Sequence, residues 1–453
     1  MKLSKLRIAV VLGCLAYLAS VIALYILVIS PAYSYYTFKY VAPHWFTFVA
    51  NCTLALLPSL WLPAAMQRPS QVACWMLYVF VVLPSCIMPM FALGDTLAPV
   101  RILLLSAMVI SSFWIVSAVS QLPVIKLERP KLAPLTFWLV FGAVISVLLA
   151  QILVVFGPRL RLVSLLEVYD VRSEFAATIA ETSSFIGYSS GWLTYAIGPT
   201  LLALGILKRN LIFTAIGLFV ELLMYSVAGF RVSLMIVLLV IGLILLFRFF
   251  YPSQLSKALI WSFVGLVLFS LAVGIALQNA FIPFLLVGRS IMMPGILTGL
   301  YYDFFSQGPK AYLSYSIFRT LVEYPYDYLP PSLIGRTYFN SPDTFANASV
   351  WADAYANFGY LGMFVFAAVL GMVLWLFDCV TREDNFVLSC ILISVYGFVF
   401  ANSALLTTIL THGVWLALLI LALLPHPLKA IQSLGRFRVC VPALSGKVRR
   451  PCN

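Results

Sequence analysis

The chain has 453 residues, of which 63% are Ala, Val, Ile, Leu, Met, Phe, Trp, Tyr or Cys and 9% are charged, with mean hydropathy +1.04 and a formal net charge of +13. A soluble globular chain carries roughly 25% charged residues, so this composition excludes a soluble enzyme, a secreted disulfide scaffold and a disordered chain. It specifies an all-α, polytopic helical membrane protein, its apolar runs exceeding the ~18 residues that cross a ~30 Å hydrocarbon layer.

Taken in chain order, the apolar runs predict twelve spans. The first five are Arg7–Ile29, Trp45–Met66, Val72–Leu93, Arg101–Ser120 and Leu135–Gly157. Four more follow at Ser190–Leu207, Leu211–Gly229, Val232–Phe250 and Ala258–Phe281, and the last three at Phe358–Phe377, Asn385–Ala401 and Leu405–Leu424. The first run is too long for a signal-peptide core and lacks a small-residue cleavage site, so it reads as a retained span. Setting the N-terminus (Lys2, Lys5, Arg7) in the cytoplasm puts eighteen Lys and Arg against four Asp and Glu inside, and ten against ten outside. Each inside loop then holds a base: Arg68; Lys126, Arg129 and Lys131; Lys208 and Arg209; Arg248 and Lys257; Arg382. That asymmetry is the positive-inside pattern. It places both termini in the cytoplasm, with a basic tail over 425–453, and gives the positive charge an origin other than nucleic acid.

Two connectors exceed the length of simple loops, and both fall outside: 158–189 and 282–357. Both are too apolar and aromatic for disorder. In the first, Leu162, Leu165, Leu166 and Tyr169 recur at helical spacing, as in a helix lying on the bilayer. The second alternates helical patches with Pro-Pro and Gly breaks, and ten of the 23 tyrosines lie between Tyr301 and Tyr360, so it reads as a folded cap.

Within this frame the isolated arginines stand out. Arg289 follows an apolar span in LLVGRSIMMPG, Arg231 separates two helices in VAGFRVSLM, and Arg172 lies in the first long loop. A charge at that depth needs a polar cavity or a partner, and the planar guanidinium fork suits phosphate oxygens. The competing readings are snorkelling to the interface and structural pairing. Arg336 in IGRTYF is a weaker candidate for the same role. Asp353, in WADAYANFG, is the first candidate for a general base, with Glu323 and Asp327 next; its structural alternative is a helix N-terminal acid favoured by the macrodipole. Glu221, the one acid inside a predicted span, reads as a structural pair or gate, and His412 as a packed, hydrogen-bonded histidine. Motifs for ATP-driven pumping, zinc hydrolysis and a serine nucleophile are absent from the sequence. No metal site and no cofactor is expected, and no internal repeat in the hydropathy points to an inverted-repeat transporter.

The stretches VYDVRSEFA, GRSIMMPGILTG, IGRTYFNSPDTFANASVWADAYANFGYLGM and LLTTILTHG, together with the many spans and two Arg-bearing loops, resemble the Wzy-type O-antigen polymerases of Gram-negative bacteria. The likeness runs from about Val168 to Pro427. It implies a GT-C-like membrane glycosyltransferase in the bacterial inner membrane, active face periplasmic, joining undecaprenyl-diphosphate-linked oligosaccharide repeat units without metal. The growing chain passes to the non-reducing end of a new lipid-linked unit. By position Arg172 and Arg289 correspond to the loop arginines of the family. Gly299 follows Arg289 at the family's usual distance, whereas Gly187 lies farther from Arg172 than that pattern has it. The implied partners are the lipid-linked sugars, membrane lipid and a chain-length regulator in the same membrane. Arg172, Arg231, Arg289 and Arg336 are then diphosphate ligands, and Asp353 and Arg289 catalytic. The rival readings are an O-antigen ligase, whose large external loop characteristically holds a histidine that this one lacks, and a lipid-linked oligosaccharide flippase or other transporter.

Overall fold

The computed structural model describes residues 2–127, 130, 132–157, 168–316, 320, 322–341 and 344–425. Most of the first long loop's amphipathic pattern, Arg129, Lys131 and the basic tail lie outside the described residues. Among the described residues every regular element is helical, and eleven helices are long and apolar enough to cross a membrane. The protein is an all-α polytopic membrane protein. Two shorter apolar helices, Trp45–Trp61 and Phe386–Val399, coincide with two of the twelve expected spans.

Contacts between connectors sort the bundle into two ends. At one end Lys39 pairs with Asp95 at 3.6 Å, and the Val41 amide donates to the Phe91 carbonyl at 2.9 Å. At the other, Arg68 donates to the Leu122 carbonyl at 3.0 Å, and the Met66 amide to Pro252 at 3.0 Å. Asp378 there accepts both the Ser70 amide (2.9 Å) and its hydroxyl (2.7 Å). This single carboxylate ties the end of Val350–Val380 to the opening turn of Pro69–Ala92 and satisfies an amide that has no intrahelical partner.

The main departure from the sequence reading is Phe281–Gln307, a 27-residue helix where a loop from 282 is expected. Arg289, two prolines and Asp303 dilute its hydropathy to 1.6, which hides it. Both of its ends nevertheless touch the same end of the bundle. Phe284 stacks on Tyr33 at 4.1 Å between ring centroids, and Asp303 pairs with Arg101 at 3.7 Å. Tyr33 precedes the Lys39 connector and Arg101 follows the Asp95 connector, so this helix enters and leaves on one side. Small residues let it lie close against Pro69–Ala92. A Cβ on Gly295 would collide with the Pro84 carbonyl, and one on Gly299 would sit 2.6 Å from Leu93 Cδ1. The second long connector therefore begins at 308 rather than 282. It also ends earlier, because Val350–Val380 is helical before the expected start at Phe358, with a kink at Phe358 and Gly359 (φ 62°). Likewise, helix Val168–Thr182 and the helix from Ser184 occupy most of the described part of the first connector.

Candidate functional site

At the end of the bundle that holds Lys39 and Asp95 lies a cavity of about 1030 Å³. Arg172, Arg231, Arg289 and Asp353 all line it. They come from four different helices, and in each case a local feature of the backbone sets the side chain there.

Helix Leu211–Ala228 stops on Gly229, whose left-handed φ of 62° is available to glycine without a Cβ penalty. Two residues later Arg231 opens the next helix, its amide donating back to the Gly229 carbonyl at 3.0 Å. The same carbonyl accepts Arg172 Nε at 3.0 Å. One tight turn thus brings Arg172 and Arg231 together. The helix carrying Arg172 is held by Phe175, whose ring lies 5.0 Å from Phe156 and 5.6 Å from Phe230.

Arg289 projects from a π-helical segment, Phe284–Met292. The wider turn rotates side chains out of α-helical phase, and such segments recur at functional sites. The guanidinium is half-buried, and among the described residues it has neither an ion-pair nor a hydrogen-bond partner. Three guanidinium groups against the Asp353 carboxylate leave the lining strongly cationic.

Asp353 sits in the first turn of its helix behind the Ser349 cap and is only 5% exposed. Its Oδ1 accepts the Tyr315 hydroxyl at 2.9 Å and Asn357 Nδ2 at 3.1 Å, and the Leu405 amide also points at the carboxylate. Burial pushes the Tyr315 phenol up from its ordinary value, keeping it a donor.

His412 occupies a break between Leu405–Leu410 and Val414–Leu423, followed by Gly413 at φ 76°. It lines the cavity instead of packing wholly inside a span. Its ring rests on Tyr195 at 4.3 Å and its Nδ1 is 3.3 Å from Ser403 Oγ. Nε2 has no hydrogen-bond partner among the described residues.

Arg336 is not on this wall. Its guanidinium lies over the Tyr328 ring at 3.8 Å, a cation–π contact that accounts for it. Glu323 and Asp327 are exposed and likewise do not line the cavity. Most of the loop's tyrosines pack on one another, as Tyr302 does on Tyr355 and Tyr360, while Tyr301 and Tyr315 reach the cavity. The residues that sequence reasoning passed over are Tyr195, Tyr301, Tyr315, Ser403 and the exposed face of His412. The usable signal was a polar or aromatic residue beside a glycine in an otherwise apolar run, as in LTHGVW. No family model matches the chain, and neither a curated protein nor a solved structure matches it.

Proposed function

We propose that the protein is a polysaccharide polymerase with a GT-C-like architecture. It joins polyprenyl-diphosphate-linked oligosaccharide repeat units at the periplasmic face of a bacterial inner membrane. The observation that carries this reading is the convergence of Arg172, Arg231 and Arg289, from three separate helices, on one cavity at one end of the bundle. The volume suits an oligosaccharide end and a diphosphate better than a single small ion.

In the reaction, an acceptor hydroxyl oxygen bonds to the anomeric carbon of the growing chain. The bond from that carbon to the diphosphate breaks, its electron pair stays on the diphosphate oxygen, and the hydroxyl proton leaves. Negative charge grows on the leaving oxygen, so fixed cations aimed there stabilise the transition state more than the ground state. Arg289 serves this role best, since no protein group competes for its fork. Arg172 and Arg231, locked by the Gly229 turn, hold the diphosphate. The proton goes to Asp353 or to His412 Nε2. Asp353 Oδ1 is already taken by the Tyr315 hydroxyl and Asn357 Nδ2, whereas His412 Nε2 has no hydrogen-bond partner among the described residues, which favours His412.

The test is purified protein incubated with synthetic lipid-linked repeat units. A ladder of polymer on lipid diphosphate is expected, and no elongation refutes the reading. A histidine on the cavity wall also suits ligation, and the same assay with a lipid A core acceptor decides that: transfer to the core without a ladder makes the protein a ligase.

A further inference from the structure

The helix break that carries His412 is pinned at its backbone by aromatic donors. The indoles of Trp192 and Trp415 both donate to the Leu410 carbonyl, at 3.0 and 3.2 Å. The Tyr396 hydroxyl reaches the carbonyls of His412 (3.3 Å) and Gly413 (2.8 Å). Carbonyls that a broken helix frees at membrane depth need such partners. Helix Ser184–Lys208 comes this close because Gly191 lies against the break, where a Cβ would collide with the Thr411 carbonyl oxygen. The backbone of His412 is therefore held without help from its ring.

The ring has two contacts of its own: the Tyr195 ring, 4.3 Å away between centroids, and Ser403 Oγ, 3.3 Å from Nδ1. Ser403 is only 8% exposed and lies in the turn between Phe386–Val399 and Leu405–Leu410. That turn is fixed in place. The Val350 amide donates to the Phe400 carbonyl at 3.1 Å, the Asn402 amide to Val399 at 2.9 Å and the Thr408 amide to Ala404 at 2.9 Å. Among the described residues Ser403 Oγ has no hydrogen-bond partner besides His412. Both residues line the cavity.

A neutral imidazole donates from one ring nitrogen and accepts at the other, and the bond made by one fixes the role of the other. A base acting through Nε2 passes through two forms, the Nδ1–H imidazole and the imidazolium, and both donate from Nδ1. Ser403 Oγ is placed to accept in both, its own O–H rotating to suit. We propose that Ser403 is the positioning residue of His412: its oxygen accepts from Nδ1–H and so presents Nε2 to the cavity as a bare lone pair. The use of that lone pair rests on the polymerase reading. There the acceptor hydroxyl gives its proton to Nε2 while its oxygen's electron pair closes on the anomeric carbon. The imidazolium then passes that proton to solvent, and the Nδ1 proton stays on Ser403 throughout. At 3.3 Å the bond is longer than an ordinary N–H···O bond, and catalytic hydrogen bonds of this kind shorten in the substrate complex.

The tautomer is read without any substrate. Full-length wild type, Ser403→Ala and Ser403→Thr, each with isotope-labelled histidine and held in lipid nanodiscs, are compared by nitrogen NMR at neutral pH. The resonance pair that His412→Gln removes belongs to His412. In the wild type it should show a protonated Nδ1 and an unprotonated Nε2. Ser403→Ala should move it to a mixture or to the Nε2–H form, and Ser403→Thr, which keeps the hydroxyl, should restore the wild-type pair. On synthetic lipid-linked repeat units Ser403→Ala should lower kcat by about tenfold or more, through loss of a hydrogen bond to a group that becomes charged. KM should stay within about twofold, and Ser403→Thr should recover kcat to within about threefold of wild type. Ser403→Cys keeps the size and exchanges the oxygen for a weak acceptor, and it repeats the comparison should Ser403→Ala not fold. A protonated Nε2 in the wild type, or an unchanged His412 pair in the variant that lacks the hydroxyl, overturns the proposal. So does a wild-type kcat in that variant. A shifted pair with no ladder from any of the proteins removes the polymerase reading and leaves Ser403 as the residue that sets the His412 tautomer.

Discussion

Replacing Arg289 with alanine separates a catalytic arginine from a structural one more cleanly than any other change in this protein. Its guanidinium is half-buried and partnerless among the described residues, so truncation strands no buried donor or acceptor. Stability should therefore move by no more than about 0.5 kcal/mol. The loss falls on the leaving group instead. A charge-assisted hydrogen bond contributes about 1.5–3 kcal/mol, and a fork engaging two phosphate oxygens at a developing charge about 3–4 kcal/mol, the effect of removing one strong oxyanion donor. At 1.36 kcal/mol per decade this slows elongation by about 10²–10³-fold. Arg289→Lys keeps the charge and loses the fork, and should fall between, about tenfold down. The assay is the rate of ladder growth on synthetic lipid-linked repeat units by purified variants of matched amount and melting temperature. Elongation within threefold of wild type by Arg289→Ala would refute the role. A melting temperature lowered by many degrees would make Arg289 a structural residue and undo the argument from its lack of partners.

The two proton acceptors give opposite signatures. His412→Ala should lower elongation at least a hundredfold and remove the acid limb of its pH profile. Asp353→Asn should lower it mainly by lowering thermal stability, because the amide no longer matches the two donors on Oδ1, the Tyr315 hydroxyl and Asn357 Nδ2; the reverse ranking in rate and melting assays would return the base role to Asp353. Arg336→Ala, which removes only a cation–π contact with Tyr328, should leave elongation within twofold and stability within about 1 kcal/mol, and a large loss of rate would bring Arg336 back to the site. Gly198→Ala drives a methyl into the Glu221 carboxylate and should destabilise the protein by about 1–3 kcal/mol, read as a lowered melting temperature in fluorescence-detected size exclusion.

How much of this was readable in the sequence depended on whether polarity or backbone shape carried the information. The spans were legible because hydrocarbon burial needs long apolar runs, and all twelve fall on helices. The arginines were legible because an unexplained charge beside a span is conspicuous, and Arg172, Arg231 and Arg289 do share one cavity. Arg336 was a weaker candidate for the same role in sequence, and the Tyr328 ring beneath it, eight residues away, accounts for it in the structure. Phe281–Gln307 was missed because hydropathy measures composition rather than helicity, and its ends return to one side. His412 packs on Tyr195 and bonds to Ser403 as its reading has it, while the helix break that opens it to the cavity is signalled in LLTTILTHGVW by Gly413 alone.

That break belongs to a wider pattern. Backbone irregularity at membrane depth is tolerated where it is buried in protein or lines a polar cavity, because freed amides and carbonyls in lipid would go unsatisfied. In this bundle the irregular segments cluster accordingly. The π-helical turn Leu193–Ile197 delivers Tyr195, the turn Phe284–Met292 delivers Leu285, Arg289 and Ser290, the left-handed Gly229 sets Arg231, and the break before Gly413 exposes Thr411 and His412. Two further π-helical turns, Tyr25–Ile29 and Tyr78–Val82, miss the cavity wall but pack against the Arg289 segment. A regular bundle of twelve spans would bury its arginines or push them to the interface. Four local departures from α-helical geometry turn them, with a tyrosine and a histidine, toward one shared volume, and that concentration of helix defects argues for a binding site independently of any charge.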